Sequence, residues 1–455
     1  MAVIERSVAE TLAEAVARLD PAALPYAVRG KCSALVADIV GLCVAVREES
    51  YVGAARAAFA EPGAATAVGH GGGLSAPAAA FVNGTAAHGE DFDDTFEGGP
   101  VHAGAPIVSA VLAACEAEKA PGGDALLGIA VGTEILCRLS LVAPKRIHRA
   151  GFHPTAVLGA VGAAAGVAAA LRLSRGGFVD ALGIAGSMAS GIIEYLAEGA
   201  WTKRMHAGWA AQSGIRAAWL ARAGFVGPRT VFEGPHGLFH GFAHSAKGDY
   251  AALTEGFGAR WVIETLAFKP YPCGTMTQPY IDCARRLAAR GLRAEDIAAL
   301  ECEVAEGTVH RLWEPLADKQ HPPNGYAGKF STPYCIASAF LRGHLGLEAF
   351  TDAAVQAREV RALAEKISYV IDPDNPYPET YTGHIRAVLR DGRVIEERQP
   401  HLRGGAQEPL APAEVEEKFR LNCRHGGWSV AQAEAALALL HGLFDAPIDL
   451  TPLRG

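Results

Sequence analysis

The stretch Pro154-Thr-Ala-Val-Leu-Gly-Ala-Val-Gly-Ala-Ala-Ala-Gly-Val-Ala-Ala-Ala-Leu171 carries no charged side chain and consists mostly of Ala, Gly and Val. Its length reaches that of a membrane span. Ala and Gly, however, gain little free energy on transfer into lipid, and no second such span follows. We therefore predict that the stretch forms a buried helix of a soluble protein. Because its side chains are small, neighbouring helices are expected to pack against it at short distance.

The composition of the 455-residue chain extends this prediction. Half of the residues are hydrophobic, only 7% are aromatic and 52 are glycine, a mixture typical of closely packed helices. The 41 basic and 49 acidic residues give a formal net charge of −8. This charge disfavours nucleic acid or an anionic membrane as a partner, since either needs a basic patch. The nine cysteines are dispersed without a Cys-x-x-Cys pair, which predicts reduced thiols in a cytoplasmic protein.

The order of the predicted elements indicates a mainly α fold in which one large domain is interrupted by another. Helical periodicity recurs throughout residues 1–264, and we predict that this part is all-helical. Residues 265–405 mix helices with strands and are predicted to form an inserted α+β domain. Residues 406–455 return to helix and complete the first domain.

Three patterns carry the strand predictions in the inserted domain. Residues 300–310 alternate apolar and polar side chains, as a half-exposed strand does, and residues 367–371 form a second apolar run. Residues 382–389 and 393–397 flank Asp391-Gly392, a favoured tight turn, and therefore predict a hairpin.

The most unusual segment is His88-Gly-Glu-Asp-Phe-Asp-Asp-Thr95, followed by His102, because it concentrates charge in Ala- and Gly-rich sequence. One interpretation is a solvated helix end at which Asp and Thr cap the next turn. A second is an acid–base site of carboxylates and histidines, and a third is a metal site built from both. The run Asp91-Phe-Asp-Asp94 also matches the D-x-D-D of helical proton-donating terpene cyclases, although such enzymes need an aromatic pocket.

Two further segments carry candidate functional groups. His153 precedes the long Ala-rich helix, where the helix dipole disfavours its cation; it is either a base or hydrogen-bond donor, or a capping residue. Lys203, Arg204 and His206 form a dense basic cluster, with the next predicted helix at 212–223. The cluster binds carboxylates or phosphate, or it is a solvated loop.

Two Pro-rich stretches lie in the predicted inserted domain, and both lead into a predicted helix. They are Lys269-Pro-Tyr-Pro-Cys-Gly-Thr-Met-Thr-Gln278 and Lys329-Phe-Ser-Thr-Pro-Tyr334-Cys335. The residues alone do not separate a hinge from a site at the first stretch. Tyr334 in the second is by default a core or interface residue.

These segments together resemble the MmgE/PrpD family. The matching stretches fall in the family's order: His88-Gly-x-Asp-Phe-Asp-Asp-Thr95 with His102, Gly151-Phe-His153-Pro, Thr202-Lys-Arg-Met-His206-Ala-Gly, Lys269-Pro-Tyr-Pro-Cys273 and Lys329-Phe-Ser-x-Pro-Tyr334-Cys. The activities known for the family include 2-methylcitrate dehydratase, cis-aconitate decarboxylase and iminodisuccinate epimerase. The resemblance implies a helical domain with an inserted α+β lid, a homodimer, and a site between the domains that uses neither metal nor cofactor.

Site residues are carried over from the resemblance one position at a time. The resemblance implies a site at Asp91, Thr95, His102, His153, Lys203 and Tyr334. We predict that Thr95 binds substrate and that the other five are catalytic. Arg204 and His206 of the basic cluster, and Gln278, are predicted as further substrate-binding residues. The chain departs from the family at Gln278, where relatives commonly carry histidine, and glutamine cannot transfer a proton near neutral pH. Asp93, Asp94 and Glu97 are expected to cap, to pair or to be solvated, because a crowd of carboxylates would repel an anionic substrate.

The predicted function is a cofactor-independent lyase or isomerase that removes a proton beside a carboxylate of a small di- or tricarboxylate. In this hypothesis Lys203, with Arg204 or His206, binds substrate carboxylates. His102 and His153 serve as acid and base, and Asp91 orients a histidine or transfers a proton itself.

The sequence leaves several readings of this function open. The main prediction is a 2-methylcitrate dehydratase-like enzyme, with a cis-aconitate decarboxylase-like or iminodisuccinate epimerase-like enzyme as the alternative. A D-x-D-D helical lyase that uses metal or a prenyl substrate, and a relative that binds an acid without turnover, are further alternatives.

Overall fold

The uncharged stretch forms a helix, Pro154–Ala170, and all 17 of its residues are buried, which confirms the predicted buried helix. In the computed structural model this helix belongs to the first of two units. The structure describes residues 5–99 and 101–455. The first unit holds residues 5–89, 93–99, 101–266 and 411–455, and the second holds residues 90–92 and 267–410. Helices account for more than half of the chain, so the mainly α prediction is confirmed.

The first unit is built mostly from helices, with a short hairpin. Its helices are α1 Val8–Val16, α2 Tyr26–Ala45, α3 Ser50–Ala58, α4 Ala76–His88, α5 Gly104–Glu118, α6 Gly122–Val142, α7 Arg146–Arg149, α8 Pro154–Ala170, α9 Arg175–Met188, α10 Tyr195–Glu198, α11 Thr202–Arg222, α12 Leu238–Ala243, α13 Tyr250–Thr254, α21 Pro412–His425 and α22 Val430–His441. Its strands are β1 Pro62–Thr66, β2 Gly73–Leu74 and β3 Thr95–Phe96, and β4 Leu266–Ala267 lies at the boundary.

The second unit packs helices against a four-stranded sheet. The strands are β5 Ile297–Val304, β6 Ile367–Ile371, β7 Gly383–Leu389 and β8 Val394–Gln399, in the order β6-β5-β7-β8. The helices are α14 Gln278–Ala289, α15 Glu306–Leu312, α16 Leu316–Gln320, α17 Gly325–Gly328, α18 Thr332–Arg342, α19 Asp352–Val355 and α20 Arg358–Ala364. The pair β5–β6 is parallel and the other two pairs are antiparallel. This unit contains helices beside strands, as predicted for the inserted domain. Its role as a lid stays a prediction.

Two sequence predictions need correction. Residues 1–264 are not all-helical, because β1 and β2 pair as an antiparallel hairpin. The strand predicted at 300–310 ends at Val304, and α15 begins at Glu306. Two-residue alternation continues past the point where the chain leaves the sheet, so the pattern alone extends the strand too far. The second strand and the hairpin at Asp391-Gly392 are confirmed.

Helices α6 and α8 cross with their backbones nearly in contact. A Cβ atom added at Gly132 would lie 2.8 Å from the carbonyl oxygen of Gly162, and one added at Gly162 would lie 3.0 Å from the carbonyl oxygen of Gly132. Gly128 and Gly166 form a second pair of the same kind. The glycines therefore set the spacing of these two largely buried helices. By length and composition α6 could cross a membrane, but 94% of its most apolar window is buried in the protein.

Replacing Gly132 by alanine should destabilise the first unit. The new methyl group would overlap the Gly162 carbonyl, and overpacking of this kind costs about 1–3 kcal/mol. The matched control is Gly30→Ala in α2, where an added Cβ meets nothing within 4 Å. That substitution should leave the free energy of unfolding unchanged or raise it by up to ~1 kcal/mol. Chemical denaturation of both variants measures the difference, and equal stabilities would contradict the close crossing.

Candidate active site

The acidic segment begins where α4 ends, and its first histidine is paired with a carboxylate. Nδ1 of His88 lies 2.7 Å from Oδ2 of Asp93, and both side chains are fully buried. The other carboxylate oxygen of Asp93 lies 3.6 Å from Nδ1 of His102. One buried carboxylate thus faces two imidazoles, an arrangement that offsets the large cost of burying its charge.

Asp94 connects this segment to the start of α5. Its two carboxylate oxygens accept hydrogen bonds from the backbone N–H groups of Ala103 and Gly104 at 2.9 and 2.8 Å. Its main-chain carbonyl accepts from Nδ1 of His102 at 2.7 Å. Burial and the neighbouring charge of Asp93 raise the pKa of Asp94 to about 7, although the two amide donors act in the opposite direction. The prediction that Asp93 and Asp94 pair or cap is confirmed.

Two more histidines meet between the start of α8 and the first turns of α11. His153 is the N-cap of α8, and its Nδ1 lies 3.1 Å from Nδ1 of His206. Burial lowers the pKa of His153 well below its ordinary value, and the nearby His88, His206, Lys203 and His102 add to the effect. Burial, with smaller contributions from His88 and Lys203, lowers the pKa of His206 to about 4. Both rings are therefore neutral at pH 7.

Lys203 and His206 project from the same side of α11, because residues three apart are neighbours on a helix. Both side chains are buried. The helix begins at Thr202, ten residues before the predicted start at 212, so the basic cluster is helical rather than a loop. A buried ammonium group beside neutral imidazoles is suited to binding an anion.

The four imidazoles form one continuous cluster in the first unit. The ring of His88 lies 5.1 Å from that of His102 and 5.5 Å from that of His153, stacked on the latter. The rings of His153 and His206 are 5.2 Å apart. A cavity of about 390 Å³ adjoins His206, with Tyr195, Met205 and Trp209 in its wall and Glu194 and Glu198 also lining it.

Arg204 and Thr95, the two other substrate-binding residues predicted in the first unit, have different surroundings. The Arg204 guanidinium lies 4.3 Å from the ring centroid of Tyr51 and 5.9 Å from that of Trp201. This cation–π packing holds the side chain against aromatic faces. Thr95 is buried in β3. Their contacts with substrate stay predictions.

In the second unit, two buried lysines hold the acidic residues at 90 and 91. Nζ of Lys269 donates to the carbonyl oxygen of Asp91 at 2.9 Å and lies 3.4 Å from its carboxylate. Nζ of Lys329 lies 3.0 Å from both the carbonyl oxygen and the carboxylate of Glu90. Asp91 has a φ of +56°, a left-handed conformation that is uncommon for a residue with a Cβ. The lysines that open the two Pro-rich stretches thus fix an unusual backbone turn.

Gln278 and Tyr334 also belong to the second unit, and both are buried. The Gln278 amide donates to the carbonyl oxygens of Tyr271 and Cys273 at 3.3 and 3.4 Å. Tyr334 lies in the hydrophobic core of this unit, and its hydroxyl donates to the carbonyl oxygen of Ala349. Each side chain therefore has a local structural role, and their predicted roles toward substrate stay predictions.

Among the described residues, His88, Asp93 and His102 offer ligand atoms that lie within 4.8 Å of one another. Two imidazoles and a carboxylate are the donor set of several transition-metal sites. However, Nδ1 of each histidine already has an acceptor at 2.7 Å, the Asp93 carboxylate or the Asp94 carbonyl. A ring nitrogen that carries a proton cannot bind a metal, so Nδ1 of both histidines is engaged by its hydrogen bond, and we assign no metal to this set.

Both halves of the chain match one family. Residues 10–251 match the MmgE/PrpD N-terminal domain, and residues 271–441 match the MmgE/PrpD C-terminal domain. The chain belongs to the MmgE/PrpD family. Cis-aconitate decarboxylase of Homo sapiens is 30% identical over 393 residues, which is 83% of this chain and 79% of that protein. The Mus musculus enzyme of the same name is 30% identical over 357 residues, covering 76% and 71%. Cis-aconitate decarboxylase of Aspergillus terreus is 27% identical over 396 residues, covering 82% and 79%.

As an MmgE/PrpD protein with these relatives, the chain is an enzyme of the lyase class. Of the predicted site residues, the first unit brings together His102, His153, Lys203 and His206. Sequence reasoning did not assign a role to His88 or to the pair that it forms with Asp93. The available signal was the histidine at the head of the acidic segment. Lys269 and Lys329 were likewise noted only as the first residues of their stretches.

The low pKa of His206 predicts a stability that falls with acidification. In the unfolded chain His206 titrates near its ordinary value of 6.5, whereas in the folded chain it does so at about 4. Between these values the unfolded state binds more protons than the folded state. The contribution of His206 to the free energy of unfolding is therefore complete above pH 6.5 and is lost as the pH falls toward 4. The loss amounts to about 3 kcal/mol at most.

The measurement compares the thermal unfolding of His206→Asn and wild type from pH 7 to pH 4. The variant should lose less stability than wild type over this range. The raised pKa of Asp94 changes the stability with pH in the opposite direction. Because Asp94 is present in both proteins, its contribution cancels when their stabilities are subtracted. His425→Asn, at an exposed position of α21, is the matched control. If the stabilities of His206→Asn and wild type changed in parallel with pH, the lowered pKa of His206 would be contradicted.

Removal of metal ions should leave the protein unaltered, because hydrogen bonds to the Asp93 carboxylate and the Asp94 carbonyl already engage Nδ1 of His88 and of His102. After dialysis against a strong chelator, we expect an unchanged melting temperature and no drop in activity. Elemental analysis of the untreated protein should find only substoichiometric transition metal. A stoichiometric ion whose removal lowers the melting temperature would contradict this assignment.

Proposed function

We propose that this protein is a cofactor-independent lyase that decarboxylates a small polycarboxylate of the cis-aconitate type. The observation that carries the proposal is the buried Lys203 beside a cluster of four imidazoles in the first unit. The decarboxylase names of the human, mouse and Aspergillus relatives support the same chemistry. They favour the decarboxylase alternative over the 2-methylcitrate dehydratase that was our main prediction from sequence.

Lys203 binds a carboxylate of the substrate in this proposal. An ammonium group in a site shielded from water forms stronger charge-assisted hydrogen bonds than it does in solution. The imidazoles of His153 and His206 are kept neutral by burial, so they add hydrogen bonds and no further positive charge. Lys203 therefore binds an anion without strong repulsion from His153 or His206.

The chemistry requires one proton to be delivered to carbon. When CO2 leaves a carbon next to a C=C bond, the C–C bond breaks and its electron pair spreads over the allyl system and the adjoining carboxylate. Lys203 and hydrogen-bond donors stabilise this negative charge. An acid then transfers a proton to carbon, a C–H bond forms, and the acid regains its proton from water for the next turnover.

His102 is the acid in this proposal. Its side chain retains 13% exposure, while those of His88 and Asp93 have none. Its Nδ1–H is held by the Asp94 carbonyl, which directs the opposite ring nitrogen to the substrate. The Asp93 carboxylate, 3.6 Å from Nδ1, stabilises the protonated ring. Gln278 cannot supply the proton, and we assign this task to His102.

The main test of the site is replacement of Lys203 or His153 by alanine. Loss of a preorganised group that stabilises developing charge should lower kcat by roughly 10²–10³-fold, while the protein stays folded. Lys247→Ala, at an exposed position of the same unit, is the control and should keep full activity. Steady-state kinetics and circular dichroism give the two readouts, and wild-type turnover in both site variants would reject the assignment.

The reaction itself is identified by a screen of di- and tricarboxylates that includes cis-aconitate, 2-methylcitrate and iminodisuccinate. In D2O, decarboxylation should release CO2 and place one deuterium on carbon in the product, which NMR detects. Dehydration would give an alkene without CO2, and epimerisation would exchange a Cα proton without either product. Binding of a carboxylate without turnover of any would contradict the proposal. The homodimer implied by the family resemblance stays a prediction for light scattering to test.

A further inference from the structure

We propose that Asp93 and His88 are a positioning pair for the proton-transferring imidazole of His102. This inference rests on the proposed function for its kinetic test, but the geometry is that of the folded protein itself. Three observations support it: the hydrogen bonds of His88 and His102, the burial of the pair, and the stacking of His88 on His153.

The acceptors around the two rings assign the protons. A carboxylate oxygen and a carbonyl oxygen accept only, so Nδ1 of His88 donates to Asp93 and Nδ1 of His102 donates to the Asp94 carbonyl. The backbone N–H of His102 donates to the Thr155 hydroxyl at 3.1 Å. His102 is thus held on its main chain and on one ring nitrogen, which leaves Nε2 as the atom that exchanges a proton.

The role of Asp93 follows from its two neighbours. Its carboxylate faces Nδ1 of His102 at 3.6 Å, close enough to stabilise the imidazolium in a medium of low polarity. Its other oxygen is bound by His88, which fixes the carboxylate in place. Asp93 acts on the substrate only through His102, and His88 acts only through Asp93, so both are positioning residues.

His88 has one feature that packing does not require. Its Nε2 is buried and has no hydrogen-bond partner among the described residues. A residue that served only to fill space would be apolar, because a buried polar atom without a partner costs free energy. The other ring nitrogen, Nδ1, donates the hydrogen bond to Asp93. Imidazole supplies a flat donor that both binds Asp93 and stacks on His153 with an interplanar angle of 22°.

The charged and titratable groups around His102 come from several elements. His88 ends α4, Asp93 and Asp94 follow it, and His153 stands at the start of α8 with its ring 6.5 Å from that of His102. Lys203 in α11 lies close enough to influence His153. Among these groups Asp93 is the one whose carboxylate faces the His102 ring, so its removal is the sharpest test.

The first experiment uses Asp93→Asn, which keeps the shape and removes the charge. Loss of the carboxylate makes the His102 imidazolium less favourable, so its titration should move to lower pH. We expect kcat to fall roughly 10²-fold with little change in KM. The expected loss is smaller than the ~10⁴ seen when the carboxylate hydrogen-bonds the catalytic imidazole directly. The alkaline limb of the pH profile, along which the acid His102 loses its proton, should shift in the same direction. Asp180→Asn, whose carboxylate accepts from the Gly227 amide at 2.9 Å elsewhere in the unit, is the control and should change none of these.

The second experiment separates positioning from mere stability. His88→Asn retains an N–H donor for Asp93 and should keep most of kcat, whereas His88→Ala should lose at least tenfold. If Asp93→Asn does not fold, this pair of variants decides the question. Equal kcat for the two His88 variants, or an Asp93→Asn that lowers the melting temperature but leaves kcat and the pH profile unchanged, would overturn the proposal.

NMR titration of the His102 ring distinguishes failure of this inference from failure of the proposed function. The ring signal is identified by its absence in His102→Gln, and no substrate is needed. A downward shift of the midpoint in Asp93→Asn supports the positioning pair even if the carboxylate screen finds no turnover. An unchanged midpoint rejects the pair even if the enzyme proves to be a decarboxylase.

Discussion

The cost of burying a carboxylate is the constraint on which this structure depends. Four acidic residues lie within five positions, and each meets the cost differently. Glu90 and Asp91 are held by Lys329 and Lys269 in the second unit. Asp93 is bound by His88, and Asp94 by two backbone amides at the start of α5. The charge density that makes the segment conspicuous in the sequence is therefore distributed among separate partners.

Each of these four carboxylates therefore has a partner of its own. Carboxylates that are paired or hydrogen-bonded no longer repel an incoming anion as a free cluster would. Burial also keeps His153 and His206 neutral. The ammonium group of Lys203 therefore lies near two imidazoles that are polar but uncharged. The low-polarity surroundings that shift these pKa values are the same surroundings that strengthen a single ammonium–carboxylate contact.

The sequence predicted most of the fold because its periodicities are strong. The uncharged run at 154–171 favoured a buried helix over a membrane span, and Asp391-Gly392 between two predicted strands favoured a tight hairpin. Prediction failed where local pattern and tertiary structure disagree. Residues 306–310 continue the alternation of the predicted strand but form a helix in the structure. Strands β1 and β2 are too short and Gly-rich to be recognised as a hairpin from the sequence.

For the site, residue types and family motifs located His102, His153, Lys203 and His206, which the fold then brings close together. Residue types and motifs did not predict which carboxylate lies beside which histidine. Asp91 was expected to orient a histidine, but Asp93, two residues later, is the one that faces the rings of His88 and His102. Which carboxylate faces the rings depends on the left-handed turn at Asp91. A backbone conformation of that kind produces no periodic pattern in the sequence.

The close crossing of α6 and α8 has a mechanical consequence. Where two helices touch through glycines, the carbonyl of one backbone meets the Cα of the other, and there are no long side chains whose rotamers could absorb a displacement. The pair then moves as one stiff body. His153 is the residue immediately before α8, so its ring is positioned by this closely packed helix pair. A side chain that has to be placed within about 0.5 Å is best supported on an element of this kind.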